Sequence, residues 1–446
     1  MKKLRNLPEE SFLRLLFAFF SLSFLVASLF MSDLSTLFSG WWNILTGTCK
    51  VTTNYWAVGG YAATFFNMGI VGLIALGLFC LPGAKPNNVS TLAFLLTVGF
   101  STWGINPFNI LPTILGVVLY CLVKKEKLGA NANAMLFSTG IAPLISDLLF
   151  RYPNAEMVGF RWEGLLLSLI VGFIIGFFLP AGLGHSPKVH KGFDLYSAAL
   201  PIGMVAFFLR AILYKVPGVA VPAAPSADGL AVISATVVNV FCLVVFGLCI
   251  LAAIGMGCRP KDYWNLLHDS GHSVSFSQKY GTATMLMNLG VYGLFIVAYY
   301  NLIGAPLNGL TFGLIFCMVC CCNSGSHPGN VWPIMVGYVA ASYLFQYLAG
   351  FVGGNFTFVI NSQAIVIGLC FASGLSPIAG KYGWPFGIAA GALHYMLVTS
   401  VPDMHGGFCL YNGGFTAALL CILLVPQLER FFKTKEERKE KALQHK

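Results

Sequence analysis

The residues with chemistry to offer stand at two places that share one pattern. Residues 104–116 read GINPFNILPTILG and residues 325–337 read GSHPGNVWPIMVG. Gly104, Pro107, Asn109, Pro112 and Gly116 return as Gly325, Pro328, Asn330, Pro333 and Gly337, each pair separated by the same 221 residues. Asparagine is a good helix N-cap, and proline is tolerated in a first helical turn, where a missing N–H costs little. Each copy therefore predicts a helix beginning at Asn109 or Asn330. A helix start of this kind offers free N–H groups and the positive end of the dipole, which suit an anion or a carbonyl oxygen. Asn106 in one copy is replaced by His327 in the other, and a histidine titrating near neutral pH can couple protons to transport. Asn106, Asn109, His327 and Asn330 are thus candidates for a solute site. The competing reading makes both copies tight turns.

Asn67 and Asn288 are matched within FFNMGIVGL and LMNLGVYGL. They are expected either to line the same pathway or to tie helices together by hydrogen bonds. Ionisable residues inside apolar runs usually mark ion or substrate paths, which adds Asp147 and His394 to His327 as candidates for proton or ion coupling. Asp194 is a further such residue. Glu163 and Arg210 are read as helix-end groups that snorkel, His190 and His405 as structural, and Asn87 as a loop residue without a role. Cys317, Cys320, Cys321 and Cys322 resemble a metal cluster at first sight. Three consecutive cysteines on a helix point in different directions, however, and no companion CxxC exists, so they are read as small apolar packing residues. No GxSxG, HExxH, Walker A or dinucleotide pattern is present. No metal, no cofactor and no enzymatic activity are expected.

The elements that must position these residues follow from composition. Of 446 residues, 57% are hydrophobic and 9% charged, with a mean hydropathy of +0.77. A soluble domain carries about a quarter charged residues, so the chain is an all-α polytopic membrane protein. The net charge of +10 sits in loops and tails, where it reports topology rather than nucleic acid. Spanning helices are expected near 12–31, 62–81, 163–183 and 193–214, with an interfacial segment at 33–56. Pieces at 89–103 and 109–123, too short for a bilayer core of about 30 Å, flank the first motif, and the run 133–150 is broken by Gly140 and Pro143. After a Pro/Ala-rich linker the order returns: 229–256, interfacial 259–279, 282–303, short pieces 310–322 and 330–346, broken run 360–380, then 384–400 and 406–426. Pro187, His190, Gly192, Phe193, Leu195 and Tyr196 recur as Pro402, His405, Gly407, Phe408, Leu410 and Tyr411. The domains are therefore 1–215, a linker 216–228, a second repeat 229–426 and a basic tail 427–446.

About seven apolar elements per repeat, some of them broken or re-entrant, is an odd number, so the second repeat should be inverted. Loop charge agrees. Lys85, Lys124, Lys125, Lys127, Lys188 and Lys191 mark loops of the first repeat, whereas 304–309, 347–359 and 401–405 contain no Lys or Arg. The positive-inside rule then places both termini in the cytoplasm. The two motif copies are expected to meet near the midplane.

The paired motifs, with FFNMGIVGL and LMNLGVYGL, resemble a family of bacterial membrane proteins described only as a domain of unknown function. The resemblance covers nearly the whole chain and implies a duplicated protein of a bacterial inner membrane, without a substrate or site residues. In architecture alone, inverted halves with short central helices are similar to urea-transporter-like channels. Inverted repeats with short, Gly/Pro-broken segments point to a substrate pathway at the repeat interface. The expectation is a secondary transporter for a small polar or anionic solute, driven by a proton or sodium gradient; the alternative is a passive channel for a small neutral solute. Membrane lipid and a second copy of the chain are the expected macroscopic partners.

Overall fold

A computed structural model describes residues 2–223 and 231–444, so residues 224–228 of the expected linker lie outside the described part. Every regular element described is helical. In the first repeat these are α1 (Glu9–Ser28), the short α2 (Leu37–Thr46), α3 (Tyr55–Phe79), α4 (Asn88–Phe100) and α5 (Pro107–Lys124). A broken helix follows, formed by α6 (Ala132–Ser138), a 3-10 turn at Thr139–Ile141 and α7 (Ala142–Phe150), and then α8 (Trp162–His190) and α9 (Ala199–Arg210). The second repeat returns the order as α10 (Ala231–Gly255), α11 (Pro260–Leu267), α12 (Thr282–Leu302), α13 (Gly309–Val319) and α14 (Pro328–Val352). Its broken helix is α15 (Gln363–Ala372), a turn at Ser373–Leu375 and α16 (Ser376–Tyr382), followed by α17 (Trp384–Val398) and α18 (Asn412–Phe431). Among the described residues ten helices are long and apolar enough to cross a membrane.

Packing repeats as faithfully as order. α1 lies along α3 as α10 lies along α12, and α5 lies along α8 as α14 lies along α17. Both broken helices are almost entirely buried, whereas α10 and α14 expose apolar side chains such as Leu243, Leu251, Tyr347 and Phe351. That division suits lipid: a helix interrupted by a 3-10 turn is tolerated at membrane depth only where protein surrounds it.

The centre of the molecule is the pair α4 and α13. Asn87 and Asn308, 221 residues apart, accept backbone N–H bonds at their respective starts, so the two helices are equivalent. They run antiparallel. Asn88 Nδ2 lies 3.4 Å from Ser324 Oγ, Thr91 Oγ1 accepts from Asn323 Nδ2 at 3.2 Å, and Cys317 Sγ approaches the Leu96 carbonyl at 3.9 Å. At the other end a Cβ on Gly313 would lie 2.3 Å from the Gly99 carbonyl oxygen, so two glycines permit this close crossing. Equivalent helices of opposite direction establish that the repeats are inverted relative to each other.

A second device locks the repeats together. Leu195 donates its N–H to the Gly374 carbonyl at 3.1 Å, and Leu410 donates to the Gly140 carbonyl at 2.9 Å. Tyr196 then covers Gly374, and Tyr411 covers Gly140. Each repeat thus inserts a Leu-Tyr segment into the break of the other's helix.

Several expectations need correction. α14 runs from Pro328 to Val352, 25 residues rather than the short piece 330–346, and α5 has 18 residues, enough to span, rather than the short piece 109–123. The spanning helices expected over 193–214 and 384–400 are shorter, 12 residues in α9 and 15 in α17. The motif copies do not meet at the midplane. The end of α4 packs beside the start of α13 and the reverse, so the motifs lie at opposite ends of a 13-residue helix, roughly 20 Å of rise.

Candidate functional site

The two motifs are closed structures. Asn106, not Asn109, is the N-cap of α5: its Oδ1 accepts the N–H groups of Phe108 and Asn109 at 3.0 and 3.1 Å. Asn109 sits one turn on, and its Oδ1 accepts the Asn106 N–H at 2.9 Å. Its amide nitrogen donates to the Gly104 carbonyl and to Ser146 Oγ at 3.0 and 2.9 Å. In the second copy the N-cap position falls to His327 rather than Asn330. Asn330 Oδ1 accepts the His327 N–H at 3.0 Å, and its Nδ2 donates to the Gly325 carbonyl at 2.8 Å. Both asparagines fold the turn upon itself. His327 Nε2 lies 3.0 Å from the Asp269 carbonyl, and its Nδ1 is buried without a partner.

Asn67 and Asn288 tie these turns down. Asn67 Nδ2 donates to the carbonyls of Ser101 and Ile105 at 2.7 and 2.9 Å, and Asn288 Nδ2 to those of Cys322 and Ser326 at 2.8 and 2.9 Å. One amide on a spanning helix thereby satisfies two carbonyls that a broken backbone leaves free, the need that lipid imposes. Asp147 is held by Arg151 (Nη2 to Oδ2, 2.7 Å) and by the Tyr214 hydroxyl. His394 has Tyr338 Oη at 2.6 Å on one ring nitrogen and the Gly413 carbonyl at 2.9 Å on the other. The structure thus spreads the predicted residues over two motifs and two separate side-chain clusters. The cysteines at 317 and 320–322 are fully buried, and among the described residues no three His, Cys, Asp or Glu side chains converge as metal ligands.

The open space lies elsewhere. A cavity of about 650 Å³, the first vestibule, is built by both repeats: Asn88, Asn133, Asp194 and Leu195 of the first and Ser273 and Gln278 of the second line it. It lies where α4 begins and Ser324 ends the turn after α13. A second vestibule of about 400 Å³ is lined by Lys50, Thr52, Arg210, Pro402, Asp403 and Gly407. It belongs to the opposite end of α4, since Tyr55, which begins α3 just after the loop that carries Lys50, donates its N–H to the Thr102 carbonyl at 3.0 Å. Pro187 and Gly192 of the first vestibule correspond to Pro402 and Gly407 of the second, so the cavities are related by the internal symmetry.

Their chemistry has diverged. Among the described residues, Asp194 is the one charged residue lining the first vestibule. It is 2% exposed; Oδ1 accepts the Tyr196 N–H at 2.9 Å and Oδ2 has no partner. Burial pushes its carboxyl up from 3.8 to about 7, against the opposing pull of the Tyr196 N–H. Cys409 holds the corresponding position in the second repeat. The second vestibule instead carries Lys50, whose ammonium stands 5.2 Å above the Phe408 ring and which burial lowers to about 8, with Asp147 and Asp403 resisting. Asp194 was visible in the sequence only as one acidic residue beside an apolar run. Asn87, expected to have no role, forms the capping box of α4.

Inverted, interlocked repeats of broken and unbroken spanning helices, with a vestibule at each end of a central helix pair, define a polytopic membrane protein of duplicated architecture. Within that class the chain belongs to the family described as "Protein of unknown function (DUF1576)", whose profile matches twice, over residues 34–215 and 259–430. The matched segments begin after α1 and after α10. No curated protein and no solved structure matches the chain.

Proposed function

We propose that this protein is a secondary transporter that carries a small polar solute between the two vestibules by alternating access. The observation that carries this reading is the pair of symmetry-related cavities at opposite ends of α4 and α13, with packed protein between them. Phe100 packs edge-to-face on Trp103 and Tyr411 at 5.2 and 5.0 Å, and Tyr196 packs on Phe371 at 5.1 Å. All five side chains are buried. A channel needs a continuous path, whereas a transporter needs one closed centre and two sides that can exchange states by rocking one repeat against the other. The packed centre favours transport over the urea-like channel. Lys188, Lys191 and Lys279 lie near the first vestibule, which supports a reading with that vestibule and both termini on the cytoplasmic side of a bacterial inner membrane. In this reading the motif asparagines hold the gates in shape, and the solute meets the vestibule residues. No enzymatic step and no nucleic acid enters it.

The test uses proteoliposomes and a cysteine-depleted chain carrying Ser273→Cys or Thr52→Cys, one in each vestibule. A panel of small polar solutes is offered under an imposed proton or sodium gradient. Uptake should require the gradient, and a bulky maleimide on either cysteine should stop it. Uptake that survives loss of the gradient would make the protein a channel. Uptake indifferent to both modifications would place the pathway outside the vestibules.

A further inference from the structure

We propose that Asp194 is the proton-binding group of the first vestibule and that its charge controls how the Leu195–Tyr196 segment rests on the Gly374 break. Its coupling to solute movement rests on the transport reading above; its protonation does not. Three observations support it. First, Asp194 Oδ2 is a buried carboxylate oxygen without a partner, in a residue that lines a cavity of about 650 Å³. Second, the residue touches the interlock itself: a Cβ on Gly374 would lie 2.9 Å from Asp194 Oδ1, and that oxygen holds the N–H of Tyr196, the side chain covering the break. Charge added or removed here acts on the contact that joins the two repeats. Third, one free carboxylate oxygen matches one proton, whereas a hard cation gathers six or more oxygens.

The other ionisable groups around it do not neutralise it. His190 Nδ1 accepts the Asp194 N–H at 3.4 Å, and its Nε2 lies 2.8 Å from Ser197 Oγ. His272 and Lys381 are both directed to the Phe193 ring, at 4.4 and 5.2 Å from its centre. None of these makes an ion pair with Asp194 among the described residues. Burial raises the carboxyl to about 7, which places the exchange within the physiological range. The proton comes from vestibule water, adds to Oδ2 to give a neutral acid, and returns to water when the carboxylate re-forms.

The experiment is pH-difference infrared spectroscopy on the full-length protein in nanodiscs, followed by proton-driven solute uptake in liposomes. A carboxylic C=O band should titrate with a midpoint near pH 7, so that acid to carboxylate falls from about 10:1 at pH 6 to about 1:10 at pH 8. Asp194→Asn keeps the acceptor for Tyr196 and should abolish the band, whereas Asp403→Asn in the other vestibule should leave it. If Asp194→Asn fails to fold, Asp194→Glu should shift the band's frequency and midpoint. A band that survives Asp194→Asn, a midpoint below about 5, or displacement of the band by sodium would overturn the proposal. A titrating Asp194 in a protein whose flux ignores every gradient would sink the transport reading and leave the proton site standing. Gradient-driven uptake unaltered in Asp194→Asn would leave the transport reading standing and overturn the coupling through Asp194.

Discussion

The interlock of the two repeats can be tested by filling the space it needs. A Cβ added to Gly374 would stand 2.5 Å from Tyr196 Cδ2 and 2.9 Å from Asp194 Oδ1, and one added to Gly140 would stand 2.3 Å from Tyr411 Cδ2 and Cε2. These separations are well inside contact, and Tyr196 and Tyr411 are fully buried and cannot swing away. Overpacking of this kind costs about 1–3 kcal/mol. Gly77, in the last turn of α3 with open space for 4 Å around an added methyl group, is the control. There alanine should stabilise by about 0.5–1 kcal/mol through helix propensity. The assay is reversible unfolding in mixed micelles by added denaturing detergent. Gly374→Ala and Gly140→Ala should both be destabilised while Gly77→Ala gains. Pairing Gly374→Ala with Tyr196→Ala should cost less than the sum of the two single changes, by about 1–3 kcal/mol, because removing the ring frees the space that the methyl needs. Gly374→Ala and Gly140→Ala as stable as Gly77→Ala, or strictly additive double variants, would refute the reciprocal insertion and with it the account of how the repeats are held.

Three further outcomes follow from other parts of the fold. Asn288→Asp keeps the shape but loses both donors to the Cys322 and Ser326 carbonyls; at about 1–3 kcal/mol for each buried group left unpaired, it should lower the unfolding midpoint far more than Asn288→Gln, and equal stabilities would show that the amide is not a tether. Arg151→Met leaves Asp147 buried beside Tyr214 and should cost about 3–5 kcal/mol, whereas Asp147→Leu with Arg151→Met should recover much of that loss, and a double variant worse than both singles would contradict this. Asp194 has its folded value raised from 3.8 to about 7, so its contribution is fully present below about pH 4 and is lost as pH rises through 7. Asp194→Asn should therefore match the parent at low pH and exceed it at pH 8 by up to roughly 4 kcal/mol; a stability difference that does not change between pH 4 and pH 8 would deny the shift.

Much of the fold was legible because the duplication is written in rare residue types. Glycine, proline and asparagine at fixed spacing cannot be imitated by generic apolar composition, so Gly140 and Gly374 marked the breaks in both buried helices, where the structure has 3-10 turns. Boundaries were less legible for physical reasons. A capping box needs polar residues both at the N-cap and three positions on, so Asn106 and Asn109 were equally good starts, and only backbone geometry separates them. Depth was not legible at all. A 13-residue helix looks like half of a re-entrant pair wherever it sits, and nothing local to 104–116 reveals that its partner runs antiparallel beside it and carries the other motif to the far end. The interlock was also hidden, since Leu195 and Tyr196 are ordinary apolar residues whose meaning lies in a backbone bond to the other repeat.

The vestibule residues drew less attention for a related reason, and the reason bears on the proposed function. Symmetry drew attention to matched residues, but matched residues in a duplicated protein are those the shared scaffold requires, and Asn67 and Asn288 turned out to spend both donors in the same way on equivalent carbonyls. Where the copies differ, the scaffold makes no such demand. Asn67 Oδ1 accepts from Trp41 Nε1 at 3.2 Å, whereas Asn288 Oδ1 is buried without a partner. Asp194 faces Cys409 across the pseudo-symmetry, and the Phe193 and Phe408 rings receive their cations from unrelated places, Lys381 on a broken helix and Lys50 on a loop. In the transport reading proposed above, symmetry is broken at the surfaces that meet solute and kept at those that carry motion. The vestibules break it and the interlock keeps it, which is why the unmatched Asp194, rather than any matched asparagine, is the residue on which the proposed coupling stands.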